Sequence, residues 1–189
     1  MIPLRRPVPA LLLLLAACSS PPGRFYELTP EPAAQARPLY AAAGNSVAIG
    51  AVNLPGELDR PQMARRIGPN QLAFAEDDRW AGPLDDMVRR VLAEDLAERL
   101  GAGTVPLAAG PGIAAERTVA VDVLRFDADP DGRVTLAARW QTLGRTAPLG
   151  RPRQSTIVEP GSGGDAAGIA AAMSQALAAL AAQIAADLG

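Results

Sequence analysis

Two alternating segments that flank a turn constrain the fold of this chain more than any other feature. Apolar and polar residues alternate from Val119 to Phe126 and again from Val134 to Thr142, which is the period of strands with one buried face. Asp129-Pro130-Asp131-Gly132 between them is a strong turn signal, so the two segments are predicted to be antiparallel neighbours. The residues expected to share a face are Val119, Val121 and Val123 on the first strand, and Val134, Leu136, Ala138 and Trp140 on the second.

Shorter apolar runs predict further strands around this pair. Each is bounded by proline, glycine or polar residues, as strand ends usually are. The predicted strands are Val47–Leu54, Met63–Ile67, Gln71–Ala75 and a strand near Gln154–Glu159, with a shorter candidate at Phe25–Leu28. Gly68-Pro69-Asn70 would join the second and third of these as a hairpin.

Two helices are predicted from apolar residues at helical spacing. The first runs from Pro83 to Leu100, with acidic residues in its first turn and Gly101 after its end. The second runs from Asp165, a good N-cap residue, to Leu188, and its other faces are mostly alanine. The apolar stripes are Leu84, Val88, Leu92, Leu96 and Leu100 on the first helix, and Ile169, Met173, Leu177, Leu180, Ile184 and Leu188 on the second. The sequence therefore predicts an α+β fold, in which a mixed, largely antiparallel sheet packs with two main helices.

The chain contains no histidine and no lysine, so all 18 basic residues are arginine. Without histidine there is no Ser-His-Asp triad, no imidazole base and no ordinary zinc site; without lysine there is no Schiff base and no phosphate-loop lysine. We therefore expect a protein that is not an enzyme and needs no cofactor, with any ATP hydrolysis left to a partner. The formal net charge of −2 argues against nucleic acid as a partner.

The N-terminus has the composition of an export signal that ends at the single cysteine. Arg5 and Arg6 precede an apolar run from Val8 to Ala17, which is too short for a transmembrane helix of roughly 20 residues. Leu15-Ala16-Ala17-Cys18 resembles a lipobox, at which bacterial lipoproteins are acylated on cysteine and cleaved before it. The alternative, an ordinary secretory signal with a stray thiol, explains neither the position nor the uniqueness of the cysteine.

These features divide the chain into three regions. Residues 1–17 are predicted to be a lipoprotein signal peptide, residues 18–44 an acylated cysteine followed by a Pro/Ala-rich tether, and residues 45–189 one folded domain. Three acyl chains would anchor the protein durably, whereas one chain gives only marginal membrane binding. Ser19, and not an aspartate, follows Cys18. By resemblance to other lipoproteins, this implies the outer membrane, with the domain facing the periplasm.

Two acidic clusters are candidate sites, but each has a simpler interpretation. Asp127, Asp129 and Asp131 match the first half of a calcium loop. Ala138 occupies the position of the bidentate glutamate, which favours a solvated hairpin tip instead. Carboxylates around Trp80 could form a glycoside-hydrolysing pair, although acidic residues at a helix start stabilise the helix in any case. These carboxylates are Glu76, Asp77, Asp78, Asp85 and Asp86.

Short motifs follow the lipobox in a set order across nearly the whole mature chain. They are Leu54-Pro55, Leu58-Asp59-Arg60-Pro61-Gln62, Gly68-Pro69-Asn70, Arg79-Trp80-Ala81-Gly82-Pro83-Leu84, Val123-Leu124-Arg125-Phe126-Asp127, Ala137-Ala138-Arg139-Trp140 and Ala172-Met173-Ser174. This ordered set resembles the PqiC-like family, the auxiliary lipoproteins of MCE-type (mammalian cell entry) ABC transport systems. Gly82 departs from the acidic residue expected there, which weakens any claim about a charge at that contact.

The resemblance implies a non-enzymatic auxiliary subunit at the outer membrane. It would dock a periplasmic MCE-domain protein and help lipids pass between the inner and outer membranes, supporting envelope integrity. An inner-membrane permease and a cytoplasmic ATPase would supply the energy. The resemblance also marks Asp59, Arg60, Pro61, Arg79 and Trp80 as a partner-contact or structural motif, and the proline and tryptophan favour the structural role.

Three questions stay open at the level of sequence. A small tethered domain would also suit a lipoprotein scaffold or activator of cell-wall synthesis, which the identity of the partner would distinguish. An envelope hydrolase using serine or carboxylate chemistry would retain turnover in a soluble form without the tether. The third open question is the oligomeric state. A ring or other homo-oligomer is plausible, because the small residues on the last helix would let a neighbouring subunit approach closely.

Overall fold

The computed structural model describes residues 23–32, 46–101, 115–161 and 163–188. The predicted signal peptide, Cys18 and the parts of the predicted tether other than residues 23–32 lie outside these residues. The elements in chain order are β1 (Arg24–Tyr26), β2 (Val47–Asn53), β3 (Gln62–Gly68), β4 (Gln71–Trp80), α1 (Leu84–Leu100), β5 (Arg117–Ala128), β6 (Val134–Gly144), β7 (Pro148–Glu159) and α2 (Ala166–Leu188).

The strands form one mixed sheet of seven strands in the order β1-β4-β3-β5-β6-β7, with β2 also pairing with β5. The pairs β3–β4, β5–β6 and β6–β7 are antiparallel, as hairpins must be, whereas β1–β4, β2–β5 and β3–β5 are parallel. The predicted α+β class is therefore confirmed, and so are both predicted hairpins.

The central hairpin β5–β6 has the facing that its alternation predicts. Val121 lies opposite Trp140 and Val123 opposite Ala138, and all seven residues expected on the shared face are buried. The register shifts by one residue between Val123 and Arg125. Beyond this bulge Phe126, Asp127 and Ala128 are all buried, so the period-two pattern ends where the strand bends.

Both helices are amphipathic and pack against the rest of the domain. The predicted α1 stripe is buried throughout, and α2 packs on α1 as well as on β6 and β7. Asp165 caps α2 by accepting a hydrogen bond from the N–H of Gly168 (2.8 Å). By length and composition α2 could cross a membrane. Ile169, Leu177 and Ile184 are nevertheless fully buried within the domain, which is the packing of a core helix.

Two strands, β4 and β7, extend farthest beyond their predicted ranges, and a physical reason accounts for each. β4 continues past Ala75 to Trp80, because its last residues pair with β1, which is distant in sequence. β7 begins at Pro148 instead of near Gln154. Its first seven residues are exposed, so no face is buried and no apolar alternation marks this half of the strand.

Part of the segment predicted as tether lies on the domain. The short strand predicted at Phe25–Leu28 is present as β1, but it begins at Arg24 and ends at Tyr26. Leu28 is 0% exposed and belongs to the hydrophobic core. The folded domain therefore includes the segment from Gly23 to Pro32, here called the N-terminal segment.

Candidate partner-contact site

The two segments of the family motif meet at one place in the sheet. Pro61 immediately precedes β3 and Trp80 ends β4, and because the two strands are antiparallel, the start of one lies beside the end of the other. The N–H of Trp80 donates to the carbonyl oxygen of Pro61 (2.7 Å), and Gln62 lies opposite Arg79. The fold thus brings together residues that are about twenty positions apart in the sequence.

Trp80 and Pro61 have structural contacts at this junction. The Trp80 side chain is buried in the hydrophobic core, where its large apolar surface stabilises the domain. Pro61 is exposed, but its carbonyl accepts the hydrogen bond that continues the β3–β4 pairing. Neither side chain presents a polar group to a partner.

Asp59, Arg60 and Arg79 are the exposed members of the motif. The Arg60 guanidinium lies 3.9 Å from the centroid of the Phe74 ring, a cation–π contact that orients the side chain without neutralising it. Arg79 donates to the carbonyl oxygen of Glu76 (3.3 Å). Within the described ranges neither arginine forms a salt bridge, so both retain donors for an acidic or phosphate-bearing partner.

A shallow cleft lies beside this motif. It has a volume of about 180 Å³ and is lined by Val52, Asn53, Leu54, Asp59 and Asp85. Asp85 is in the first turn of α1, and the Asn53 amide donates to Asp122 (2.7 Å). Asp59 therefore lines a small concavity with several polar groups, and Arg60 is the next residue in the chain. The concavity is a suitable shape for an inserted side chain of another protein.

The edge strand β1 completes this end of the sheet. Arg24 makes a two-point ion pair with Asp78 (2.7 and 3.0 Å), which raises the pKa of Arg24 above its ordinary value. The Tyr26 hydroxyl also donates to Asp78 (3.2 Å); burial first, and then this hydrogen bond, raises the pKa of Tyr26. Phe25 points to the other face, opposite Arg79 in register.

Polar side chains from both helices hold the N-terminal segment. Asp95 of α1 accepts a hydrogen bond from the Glu31 N–H (3.0 Å), and Ser174 of α2 accepts one from the Thr29 N–H (3.1 Å). Arg90 donates to the Leu28 carbonyl (3.0 Å). Sequence reasoning missed these residues. The sequence does contain one indication of this contact: Asp95 lies between Leu92 and Leu96 of the buried stripe, and a buried carboxylate needs hydrogen-bond partners.

Asp95 is fully buried, and its environment is unusual for a carboxylate. Its Oδ2 atom has no hydrogen-bond partner, and the nearest guanidinium nitrogen of Arg99 is 4.0 Å from Oδ1. Burial raises the pKa of Asp95 to about 6, and the Glu31 N–H and the Arg99 charge oppose that rise only in part.

The calcium candidate at the β5–β6 turn has other partners. Both oxygens of Asp127 are held by arginines, Oδ2 by Arg66 (2.8 Å) and Oδ1 by Arg125 (2.8 Å). Asp129 Oδ1 accepts the N–H groups of Asp131 and Arg133 and so shapes the turn. Across the described ranges, no three acidic, cysteine or histidine side chains are grouped so that they could hold a metal ion.

The acidic cluster around Trp80 also has structural contacts. Asp78 is paired with Arg24, and Asp86 forms a salt bridge with Arg89 one helical turn later (3.0 Å). Asp85 and Asp86 lie in the first turn of α1, where negative charge favours the helix. Of the five carboxylates in this cluster, only Asp85 lines the cleft beside the motif, where it faces Asp59.

Comparison with known proteins identifies one family for nearly the whole domain. A family model described as ABC-type transport auxiliary lipoprotein component matches residues 26–185. No curated protein matches the chain.

Solved structures of similar fold exist. A crystal structure of an uncharacterized protein superposes with a TM-score of 0.73 at 20% identity, covering 89% of this chain and all of that one. The protein XCC0632 from Xanthomonas campestris, of family DUF330, has a TM-score of 0.65 at 22% identity, covering 86% of this chain and 93% of its own. A PelC dodecamer from Paraburkholderia phytofirmans has a TM-score of only 0.43 at 13% identity, covering 77% of this chain and 86% of its own. At these identities, the first two show the fold alone.

Proposed function

Because this chain belongs to the family of ABC-type transport auxiliary lipoprotein components, we propose that it serves an MCE-type transport system as an auxiliary subunit. In this proposal it is anchored in the outer membrane, faces the periplasm and docks the MCE-domain protein. The permease and ATPase of the system act on it only through that protein. The cargo is lipid, passed between the inner and outer membranes, and the activity supports envelope integrity.

The match over residues 26–185 is the observation that carries this proposal. It begins within β1 and ends within α2, so it includes both motif segments and all of the sheet except the first two residues of β1. The lipobox-like Leu15-Ala16-Ala17-Cys18 supplies the acylation that the family description requires of a lipoprotein.

We assign docking to the rim of the cleft beside Asp59 and Arg60. Arg60 presents a guanidinium that is oriented by Phe74 but not neutralised, which suits bidentate recognition of a carboxylate on another protein. The proposed role is non-enzymatic, and it agrees with a chain that has no histidine to act as an imidazole base and no lysine to act as an amine nucleophile.

Crosslinking followed by affinity purification tests the proposed partner. The tagged, acylated protein is crosslinked gently in intact envelopes, and mass spectrometry identifies what copurifies. We expect an MCE-domain protein, with its permease at lower yield. Arg60→Glu should reduce the recovered MCE-domain protein at least tenfold, because it reverses the exposed charge that follows Asp59 of the cleft. Arg151→Glu is the matched control, because Arg151 is also an exposed arginine but lies on the distant edge strand β7.

The other outcomes are equally informative. Recovery of cell-wall synthases instead would support the scaffold or activator function. Equal losses with Arg60→Glu and Arg151→Glu would place the docking surface elsewhere. Catalytic turnover by the purified protein that a single carboxylate substitution abolishes without unfolding would establish an enzyme and contradict the proposed role.

A further inference from the structure

The domain begins very close in sequence to the predicted site of lipid attachment. Four residues lie between Cys18 and Gly23, the first described residue, so their Cα atoms are five steps of the chain apart. Whatever path the chain follows, five steps span at most about 18 Å. The predicted tether is 27 residues long, but the N-terminal segment within it is docked on the domain by β1 pairing and by the buried Leu28.

This short connection determines which surface lies next to lipid. An acylated cysteine resides at the membrane interface, and the polar headgroup layer on each side of a bilayer is about 5–7 Å thick. A domain joined to it by at most about 18 Å of chain keeps the Gly23 end of β1 near the headgroups. The side chains around Gly23 are therefore within reach of the bilayer surface.

The side chain of an exposed phenylalanine lies close to that point. The Phe25 ring approaches within 3.9 Å of the position that a Cβ on Gly23 would occupy. Phe25 is 65% exposed, the highest exposure among the large exposed hydrophobic residues of the described ranges, which otherwise lie between 45% and 52%. It shares the outer face of β1–β4 with Arg79, whose described hydrogen bond is to a backbone carbonyl.

We infer that Phe25 is a membrane-interface anchor: its ring inserts among the lipid headgroups beside the acylated cysteine, and Arg79 on the same face meets a lipid phosphate. This inference rests on the proposed acylation of Cys18. The lipid chains hold the protein at the bilayer, so a single ring is sufficient to orient the domain, although it would not recruit the protein alone.

The charges nearby define the type of lipid surface. Arg24 is already paired with Asp78, and Glu27, Glu76 and Asp77 are exposed on the adjoining backbone. The corner is therefore not a basic patch. Attachment depends on apolar insertion, and we expect it to occur on zwitterionic lipid as readily as on anionic lipid.

The contact would give the domain a defined orientation. β7 is five strand positions from β1 in the sheet order, about 24 Å at the usual strand spacing. With the β1 edge at the bilayer, the exposed β7 edge is directed away from it. The two attachment points, the acyl chains and Phe25, together restrict rotation about the linker.

Fluorescence quenching by lipid-borne bromine tests this inference. Phe25→Trp and Val158→Trp are each purified in acylated form and reconstituted into phosphatidylcholine vesicles, with and without bromine on the upper part of the acyl chains. Val158 is the matched control, because it is 52% exposed and lies on β7 at the opposite edge. The wild-type protein, whose Trp80 and Trp140 are buried, supplies the baseline.

We expect bromine to quench the Phe25→Trp emission at least twofold more than that of Val158→Trp or of the wild type. The same difference should persist when 30% of the lipid is anionic. Equal quenching of the two variants in vesicles that carry the protein would overturn the inference, and quenching confined to anionic vesicles would overturn apolar insertion. Vesicle flotation is scored first: failure of the acylated protein to float would contradict the anchoring in the proposed function, whereas flotation without selective quenching would contradict only the role of Phe25.

Discussion

A buried carboxylate is the most unusual single group in this domain. Asp95 is 0% exposed, yet only one of its two carboxylate oxygens accepts a hydrogen bond. Its pKa of about 6 lies above the ordinary value of 3.8, so the folded state binds a proton more tightly than the unfolded chain does. The stabilisation of the folded state that results from this tighter proton binding is fully present below about pH 3.8 and is lost as the pH rises through about 6.

Asp95→Asn tests this linkage. The amide oxygen can still accept a hydrogen bond from the Glu31 N–H, but the side chain carries no charge. At pH 7.5 the free energy of unfolding should therefore be higher for the variant than for the wild type. The difference should shrink by about 1 kcal/mol between pH 7.5 and pH 5, as the wild-type carboxylate takes up its proton. Urea unfolding at both pH values provides the measurement. Asp86→Asn, an exposed carboxylate on the same helix, is the control, and a difference independent of pH would show that Asp95 does not titrate in this range.

At the scale of elements, the β5–β6 hairpin shows how well local patterns specify a strand pair. Its alternation of apolar and polar residues predicts which side chains of each strand are buried. Its Asp-Pro-Asp-Gly turn predicts that the two strands form a hairpin. Nothing in the alternation marks the bulge after Val123, because a bulge depends on the register of the partner strand.

Val121→Asp tests the facing directly. Val121 is fully buried opposite Trp140, so an unpaired carboxylate there should lower the unfolding free energy by several kcal/mol. Ala120→Asp places the same group one residue earlier, on the partly exposed face, and should cost less than about 1 kcal/mol. An unchanged melting temperature for Val121→Asp would refute the assigned facing.

The N-terminal segment is an element that acts as part of the core. Leu28→Ala should lower the unfolding free energy by about 2–4 kcal/mol, because the side chain is fully buried and leaves a cavity. Leu124→Ala, at a position 45% exposed on β5, is the matched control and should cost under about 1 kcal/mol. Chemical denaturation compares the two. Equal small losses would mean that the segment detaches from the domain in solution.

At the scale of the whole molecule, the fold positions the predicted lipid and the motif at one end of the sheet. β1, which follows Cys18 closely, pairs with the same strand that ends at Trp80. The proposed membrane contact is on β1, and its neighbour β4 ends at Trp80 of the motif, whereas the proposed docking cleft is lined from β2, α1 and Asp59.

Cys18→Ala tests the anchor on which this arrangement depends. Without the thiol there is no acylation, so the protein should disappear from the outer-membrane fraction of a density gradient, and its mass should lack the acyl chains. Ser20→Ala, two residues later, should leave both properties unchanged. Recovery of unacylated Cys18→Ala protein in the outer-membrane fraction would refute the lipid anchor.

The sequence by itself determined the features that arise from near neighbours: the alternating strands, the helical stripes, the hairpin turns, the Asp165 cap and the single cysteine. These carry local signatures because their partners lie within a few residues or recur at a set period. Only the tertiary structure decided that β1 joins β4 across 54 residues, that β2 pairs in parallel with β5, and that Asp95 holds the N-terminal segment. Parallel pairing requires a crossover between strands that are distant in sequence. The burial of Asp95 depends on the packing of both helices and the N-terminal segment around it. Neither feature leaves a periodic pattern in the sequence.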